Sequence, residues 1–343
     1  MKTDTILFIA STPLHLFDAL LIAQSSQEKN HHLCYVDRQD EDDLYFTRLD
    51  AWEHNPFSAM DIFVTSRRST IQKIRSKRAT IAALIALIER ERPVRIVVGN
   101  DRKTEMAAVI HSFKGHIPFD YMDDGLHSYM EEKSSFYKYG FFDAWMKRVV
   151  YGYPMSVPKV IGSSNSIENL YLYAPELRHQ VLQRKPAYPL DTHYLHTVEA
   201  KHWYRAILSA LGMDIEKELE GIKSILFLPH TKALDQVKYG KLQEKLKGRR
   251  DIAIKLHPRD RISYRYFPSQ KILSSDLSAE ILFLLAPSLG IYSFASTTLL
   301  MAKWLRPSLS VCSLQFGSGE ETPMEALLKK NDIRVLSIES IDF

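Results

Sequence analysis

Short apolar runs alternate with longer amphipathic stripes in both halves of this chain, and that pattern leaves few architectures open. Residues 6–10, 33–36, 62–64, 94–98 and 117–121 are brief and nearly continuous in apolar character, as expected of parallel strands covered on both faces. Between them, residues 69–90 carry Ile71, Ile74, Ile81, Leu84, Ile85 and Leu87 at helical spacing. The alternation restarts with strands at 224–228, 252–256, 289–292 and 308–313 and helices at 236–247, 277–285 and 324–330. Strands alternating with helices imply an α/β chain with doubly wound parallel sheets. A length of 343 residues suits two such domains better than one core. The expected division is a first domain over 1–157, a connector over 158–196 and a second domain over 197–343. The connector is placed where the alternation lapses and where Ser163-Ser164-Asn165-Ser166 and several prolines occur. Two α/β halves with a connector between them make a cleft, and the cleft is where a site is expected.

Composition narrows the class. No apolar run approaches the ~18 residues of a membrane-spanning helix. The apolar start at Ile6 is too brief for a secretory signal, and Pro13, His15 and Asp18 interrupt the residues after it. Only two cysteines occur, Cys34 and Cys312, in different halves, which fits a reducing compartment and argues against a disulfide framework or a cysteine metal site. A net charge of +4 is small for this length and does not point to nucleic acid. The protein is expected in the cytoplasm. Residues 135–154 are dense in aromatics and carry Lys138, Lys147 and Arg148. One reading is a surface touching a membrane interface or a lipid-linked acceptor, which would make the protein peripheral on the inner face of the cytoplasmic membrane. The other is an amphipathic helix packed on its domain.

Chemistry-bearing residues collect where strands end. In open α/β sheets ligands bind at the carboxyl ends of the strands. Asp123-Asp124-Gly125 follows the strand ending at Tyr121 and is either a turn or a general base with a neighbouring carboxylate. Lys255-Leu256-His257-Pro258-Arg259 ends a strand of the second half, with an imidazole between cations that favour an anion. Ser296-Thr297-Thr298 precedes an apolar helix, and its hydroxyls and free N–H groups suit either a plain N-cap or a phosphate. Thr12-Pro13 opens the first helix in the same manner, directly after the first strand.

In their order along the chain, Asp-Asp-Gly, His-Pro and the Ser-Thr pair resemble the motifs of the bacterial sialyltransferases. That group comprises lipooligosaccharide sialyltransferases, capsular polysialyltransferases and marine-type multifunctional enzymes. The opening Ile9-Ala10-Ser11-Thr12-Pro13-Leu14-His15 is similar to the first strand-turn-helix of the lipooligosaccharide branch. The resemblance runs from Ile6 to Trp304 and implies a GT-B-like arrangement, a CMP-sialic acid donor, a glycan acceptor such as lipooligosaccharide or capsule, and inversion without metal or cofactor. It implies Asp123 or Asp124 as the base that deprotonates the acceptor, with Asp123 favoured by its strand-end position. Asp235, shortly before the His-Pro pair, is the alternative base. His257 would assist departure of the phosphate. Ser296 and Thr297, with Lys255, Pro258 and Gly125, complete the implied donor-binding set. Other readings stand beside this one: a transferase for another nonulosonic acid or a nucleotide hexose, a GT-B-like nucleotide-sugar epimerase or hydrolase, or a non-catalytic glycan-binding protein.

Overall fold

In a computed structural model the chain is described over residues 4–27, 30–66, 69–130, 145, 148–153, 158, 160–230, 236–257, 267–286, 289–317 and 321–341. It divides into two compact units, residues 1–203 and 204–343. The division falls inside the helix Val198–Ala210.

The first unit is built on a seven-stranded sheet. Its strands are β1 (Thr5–Ala10), β2 (Asn30–Arg38), β3 (Ala59–Val64), β4 (Arg95–Val98), β5 (Phe119–Met122), β6 (Ile167–Leu172) and β7 (Ala187–Pro189). They lie in the order β3-β2-β1-β4-β5-β6-β7, every pair parallel. All six residues of β1 are buried, as a central strand covered on both faces requires. The helices are α1 (Pro13–Ser25), α2 (Leu44–Asp50), α3 (Thr70–Glu91) and α4 (Thr104–Phe113). Leu84, Leu87 and Ile88 of α3 and Met106, Val109 and Ile110 of α4 bury against Leu7, Ile9, Ile96 and Val98 on one face of the sheet. Apolar burial at roughly 25 cal/mol per Å² is what fixes these layers.

The second unit repeats the topology. β8 (Ser224–Phe227), β9 (Ile252–Lys255), β10 (Lys271–Leu273), β11 (Gly290–Ser293), β12 (Ser310–Gln315) and β13 (Arg334–Ser337) form a six-stranded parallel sheet in the order β10-β9-β8-β11-β12-β13. Its core joins Leu226, Ile252, Ile254, Cys312 and Leu314 with Tyr239, Leu242 and Leu246 of the helix Gln236–Leu246. The chain therefore carries two Rossmann-like domains, as the alternation implies. In each sheet the strand order reverses once, between β1 and β4 and between β8 and β11, and open α/β sheets bind ligands at such reversals.

One boundary differs from expectation. The stretch 158–196 is no connector: it supplies β6 and β7, with Leu170 paired to Tyr121 and Tyr171 to Tyr188. Its strands are short and interrupted by Glu168 and Asn169, so the apolar run that marks a buried strand is missing there. The edge strands β10 and β13 likewise differ from expectation. Three or four residues carry too little periodicity to register.

Most of the aromatic run 135–154 lies outside the described residues. Of the remainder, Trp145 and Val149 are exposed, while Tyr151 and Tyr153 pack against Ile81, Ala107 and Ala108. Among the described residues no helix is long and apolar enough to cross a membrane.

Candidate active site

The ends of β1, β4 and β5 meet at the reversal of the first sheet. Asp123 and Asp124 follow β5 directly, and their environments are opposite. Asp123 is 0% exposed, and both its carboxylate oxygens are engaged. Ser128 Oγ donates to Oδ1 at 2.6 Å, the Tyr173 N–H donates to Oδ2 at 3.1 Å, and the Tyr129 hydroxyl also donates to Oδ2. Burial pushes its pKa up to about 6 against the pull of these donors, and the neighbouring charge of Asp124 adds to the rise. Asp123 thereby ties the turn after β5 to the chain leaving β6. Gly125 then takes φ +66°, a left-handed conformation that a side chain would strain. It opens the short 3-10 turn Gly125–Ser128 that carries Ser128 to Asp123.

Asp124 keeps 15% of its side chain exposed. His15 Nε2 lies 3.0 Å from Oδ1, and Asn100 Nδ2 donates to Oδ2 at 2.5 Å. The imidazole of His15 is itself fixed. Ser11 N–H donates to Nδ1 at 3.2 Å, so a neutral ring carries its proton on Nε2 and donates it to Asp124. Local sequence builds this arrangement. Thr12 Oγ1 accepts from the His15 N–H at 3.3 Å and caps α1, with Pro13 at its first position, which sets His15 in the first turn. Gly99, just beyond β4, provides the space: a Cβ there would stand 2.4 Å from the His15 ring. The next residues, Asn100 and Asp101, divide the work. Asn100 reaches Asp124, whereas Asp101 is buried and accepts from the N–H groups of Gly162 at 2.9 Å and Ser164 at 3.0 Å. Burial lifts the pKa of Asp101 to about 6.

In the second unit the corresponding strand ends carry His230, His257 and the Ser296 turn. His257 lies two residues past β9, and its ring meets that of His230, three residues past β8, edge-on with centroids 5.3 Å apart. Lys255 is only 3% exposed, and its ammonium donates to the Ser275 carbonyl at 3.3 Å. Burial lowers its pKa to about 8, opposed by Asp276 and Glu280. Its charge is thus directed into the 275–280 segment. Ser296 is the N-cap of the helix Thr297–Leu305, its Oγ accepting from the Thr298 N–H at 3.2 Å. The residue before it, Ala295, has φ +35° and donates its N–H to Ser313 Oγ at 3.1 Å. A non-glycine residue held there costs on the order of 1–3 kcal/mol, the kind of strain that clusters at ligand sites.

A family model for alpha-2,8-polysialyltransferase (POLYST) matches residues 6–315, most of the chain. The chain belongs to the alpha-2,8-polysialyltransferase (POLYST) family. No curated protein matches it in sequence. Among solved structures, it is similar to the UDP-GlcNAc 2-epimerase from Neisseria meningitidis bound to UDP-GlcNAc, with TM-score 0.56 and 13% identity over 97% of this chain and 87% of that one. The UDP-GlcNAc 2-epimerase from Methanocaldococcus jannaschii gives TM-score 0.55 and 11% identity over 97% and 89%. The glycotransferase of kitacinnamycin gives TM-score 0.51 and 12% identity over 100% and 88%. At these identities the likeness is one of fold, and the fold is GT-B-like.

Within this polysialyltransferase-family chain, Asp123, Asp124 and Gly125 stand together at one strand end, and Ser296 and Thr297 stand at another. Asp235 and Pro258 lie outside the described residues. Lys255 is buried beside the 275–280 segment. Reading the sequence did not single out His15, Asn100 or His230 as functional. His15 follows the Thr-Pro helix start, and Asn100 follows a strand and a glycine, so their positions were visible while their convergence on Asp124 was not.

Proposed function

We propose that this glycosyltransferase of a sialyltransferase family moves sialic acid from CMP-sialic acid to a surface glycan, with inversion and without a catalytic metal. The observation that carries the reading is Asp124: a partly exposed carboxylate, oriented by His15 and Asn100 at a sheet reversal, in a chain matched by the polysialyltransferase model. Geometry ranks ahead of pKa in choosing a base. Asp123 has the raised pKa but is sealed and fully bonded, so Asp124 takes the proton and Asp123 holds the turn.

In the proposed step the acceptor hydroxyl oxygen bonds to the anomeric carbon as its proton passes to Asp124. The bond from that carbon to the phosphate oxygen breaks, and CMP leaves with the electron pair. The leaving group is already a phosphate monoester, so charge stabilisation suffices. His257, with His230 beside it, and the N–H groups at the start of the helix capped by Ser296 supply that stabilisation. The family description favours an α-2,8 linkage, hence an acceptor ending in sialic acid. The buried free thiols Cys34 and Cys312 suit a cytoplasmic enzyme, and exposed Trp145 and Val149 suit contact of the 135–154 segment with a membrane surface.

The test is release of CMP from CMP-sialic acid in the presence of an oligosialic acid acceptor. Asp124→Asn is expected to lower kcat by about 10²–10⁴-fold with the donor KM little changed. His257→Ala is expected to lower kcat as well. Turnover of a UDP-sugar alone, with CMP-sialic acid untouched, would mean an epimerase or hydrolase and sink the proposal.

A further inference from the structure

A second cluster of ligand-type side chains lies on β2 and the edge strand β3 of the first sheet, beside the end of α3. His32 and Cys34 are two residues apart on β2 and so share a face of the sheet. Asp61 on β3 is the register partner of Cys34. One ligand atom from each of His32, Cys34 and Asp61 lies within 4.8 Å of the others. His32 and Cys34 are buried, whereas the Asp61 side chain is 49% exposed and leaves an entry from solvent. Behind them, Glu91, the last residue of α3, places Oε2 2.7 Å from His32 Nδ1. Glu91 also accepts from Arg90 at 3.1 Å through its other oxygen.

The charges need an explanation. Two carboxylates converge on one imidazole, since His32 Nε2 is 2.8 Å from Asp61 Oδ2. If Glu91 takes the Nδ1 proton of a neutral ring, the Nε2 lone pair faces a carboxylate oxygen, and like charge densities meet. A proton, on the ring or on a carboxyl, or a metal ion relieves this. The thiol beside them decides the choice. A proton on Nε2 makes no use of Cys34, whereas a late first-row divalent ion takes imidazole, thiolate and carboxylate together. A carboxylate on the far nitrogen of a ligating histidine is also the usual outer support of such sites. Ligands about 2.0–2.3 Å from zinc stand about 3.3–3.6 Å apart, so from separations of up to 4.8 Å the side chains draw in by roughly 1 Å on binding.

We propose that His32, Cys34 and Asp61 bind a zinc-type divalent ion, with Glu91 orienting the imidazole and solvent completing the coordination. The ion would clamp β2 and β3 to the end of α3. It shares no residue with the Asp124 cluster and takes no part in transfer, so the proposal stands or falls apart from the reading of the active site. On binding, the Cys34 thiol gives up its proton to solvent and its sulfur bonds the metal.

Full-length protein stripped of metal and titrated with Co²⁺ is expected to develop a thiolate-to-cobalt charge-transfer band that Zn²⁺ abolishes. Zn²⁺ is expected to raise the thermal midpoint of the wild type. Cys34→Ser and His32→Asn should lose both effects. Glu91→Gln should weaken binding by about 10–100-fold. Because Cys34 is in the core, Asp61→Asn at the surface gives a second check and should also weaken binding. If the wild type shows no band, or if Cys34→Ser and Asp61→Asn keep the full zinc-induced shift, the proposal is overturned.

Discussion

Two adjacent aspartates differ here by environment alone. At Asp123 burial outweighs the three hydrogen bonds that oppose it, and the carboxyl is held near 6. An ordinary aspartate titrates near ~3.9, so between these values the folded chain binds more protons than the unfolded chain. The stability contributed by Asp123 is therefore full below about pH 3.9 and is lost as pH rises through about 6. Asparagine cannot titrate. The stability of Asp123→Asn relative to wild type is thus expected to improve between about pH 4 and pH 7, which urea midpoints at several pH values would reveal. A constant gap across that range would mean that Asp123 stays ionised in the fold. The same aspartate shows why a shifted pKa is a poor guide to catalysis on its own: its displacement comes from being walled in.

At the scale of elements, the first site depends on the clearance between α1 and the end of β4. Thr12 and Pro13 start α1, which brings the His15 ring over Gly99, and no side chain fits beneath it. Gly99→Ala leaves an ordinary backbone yet forces the imidazole off Asp124. It is expected to reduce kcat by up to about 10²-fold, as small misplacements of catalytic geometry do, while circular dichroism remains that of the wild type. Unchanged kcat in a folded Gly99→Ala protein would show that His15 does not position the base. The Thr-Pro start and the strand end at Gly99 were legible in the sequence, because caps, prolines and apolar runs are local signals. The pairing of His15 with Asp124, 109 positions away, was not, since it depends on β1 lying beside β4 and β4 beside β5.

For the whole molecule, two units of the same topology each carry strand-end groups, and the proposed phosphate ligands all lie on the second. CMP alone should then bind the full chain and raise its thermal midpoint, by about 2.7 kcal/mol of stabilisation at a hundredfold excess over Kd. His257→Ala should shrink that shift, and Asp124→Asn should leave it intact. Equal losses in both variants would argue against a nucleotide site confined to the second unit. The GT-B-like fold holds at identities of 11–13%, so the architecture carries no choice of sugar nucleotide by itself. That choice belongs to the side chains at the strand ends.

Strand–helix alternation, helix caps and the order of motifs are written along the chain, and they determined two doubly wound domains and a sialyltransferase-like set of strand ends. Their physical basis is local: burial periodicity and backbone preference act over a few residues. The tertiary structure decided the rest. It drew 158–196 into the first sheet, separated sealed Asp123 from reachable Asp124, and turned Lys255 inward. It also brought His15 and Asn100 to one carboxylate and His32, Cys34, Asp61 and Glu91 to one corner. Exposure and proximity between distant residues arise only when strands pair and layers pack, and no local pattern encodes them.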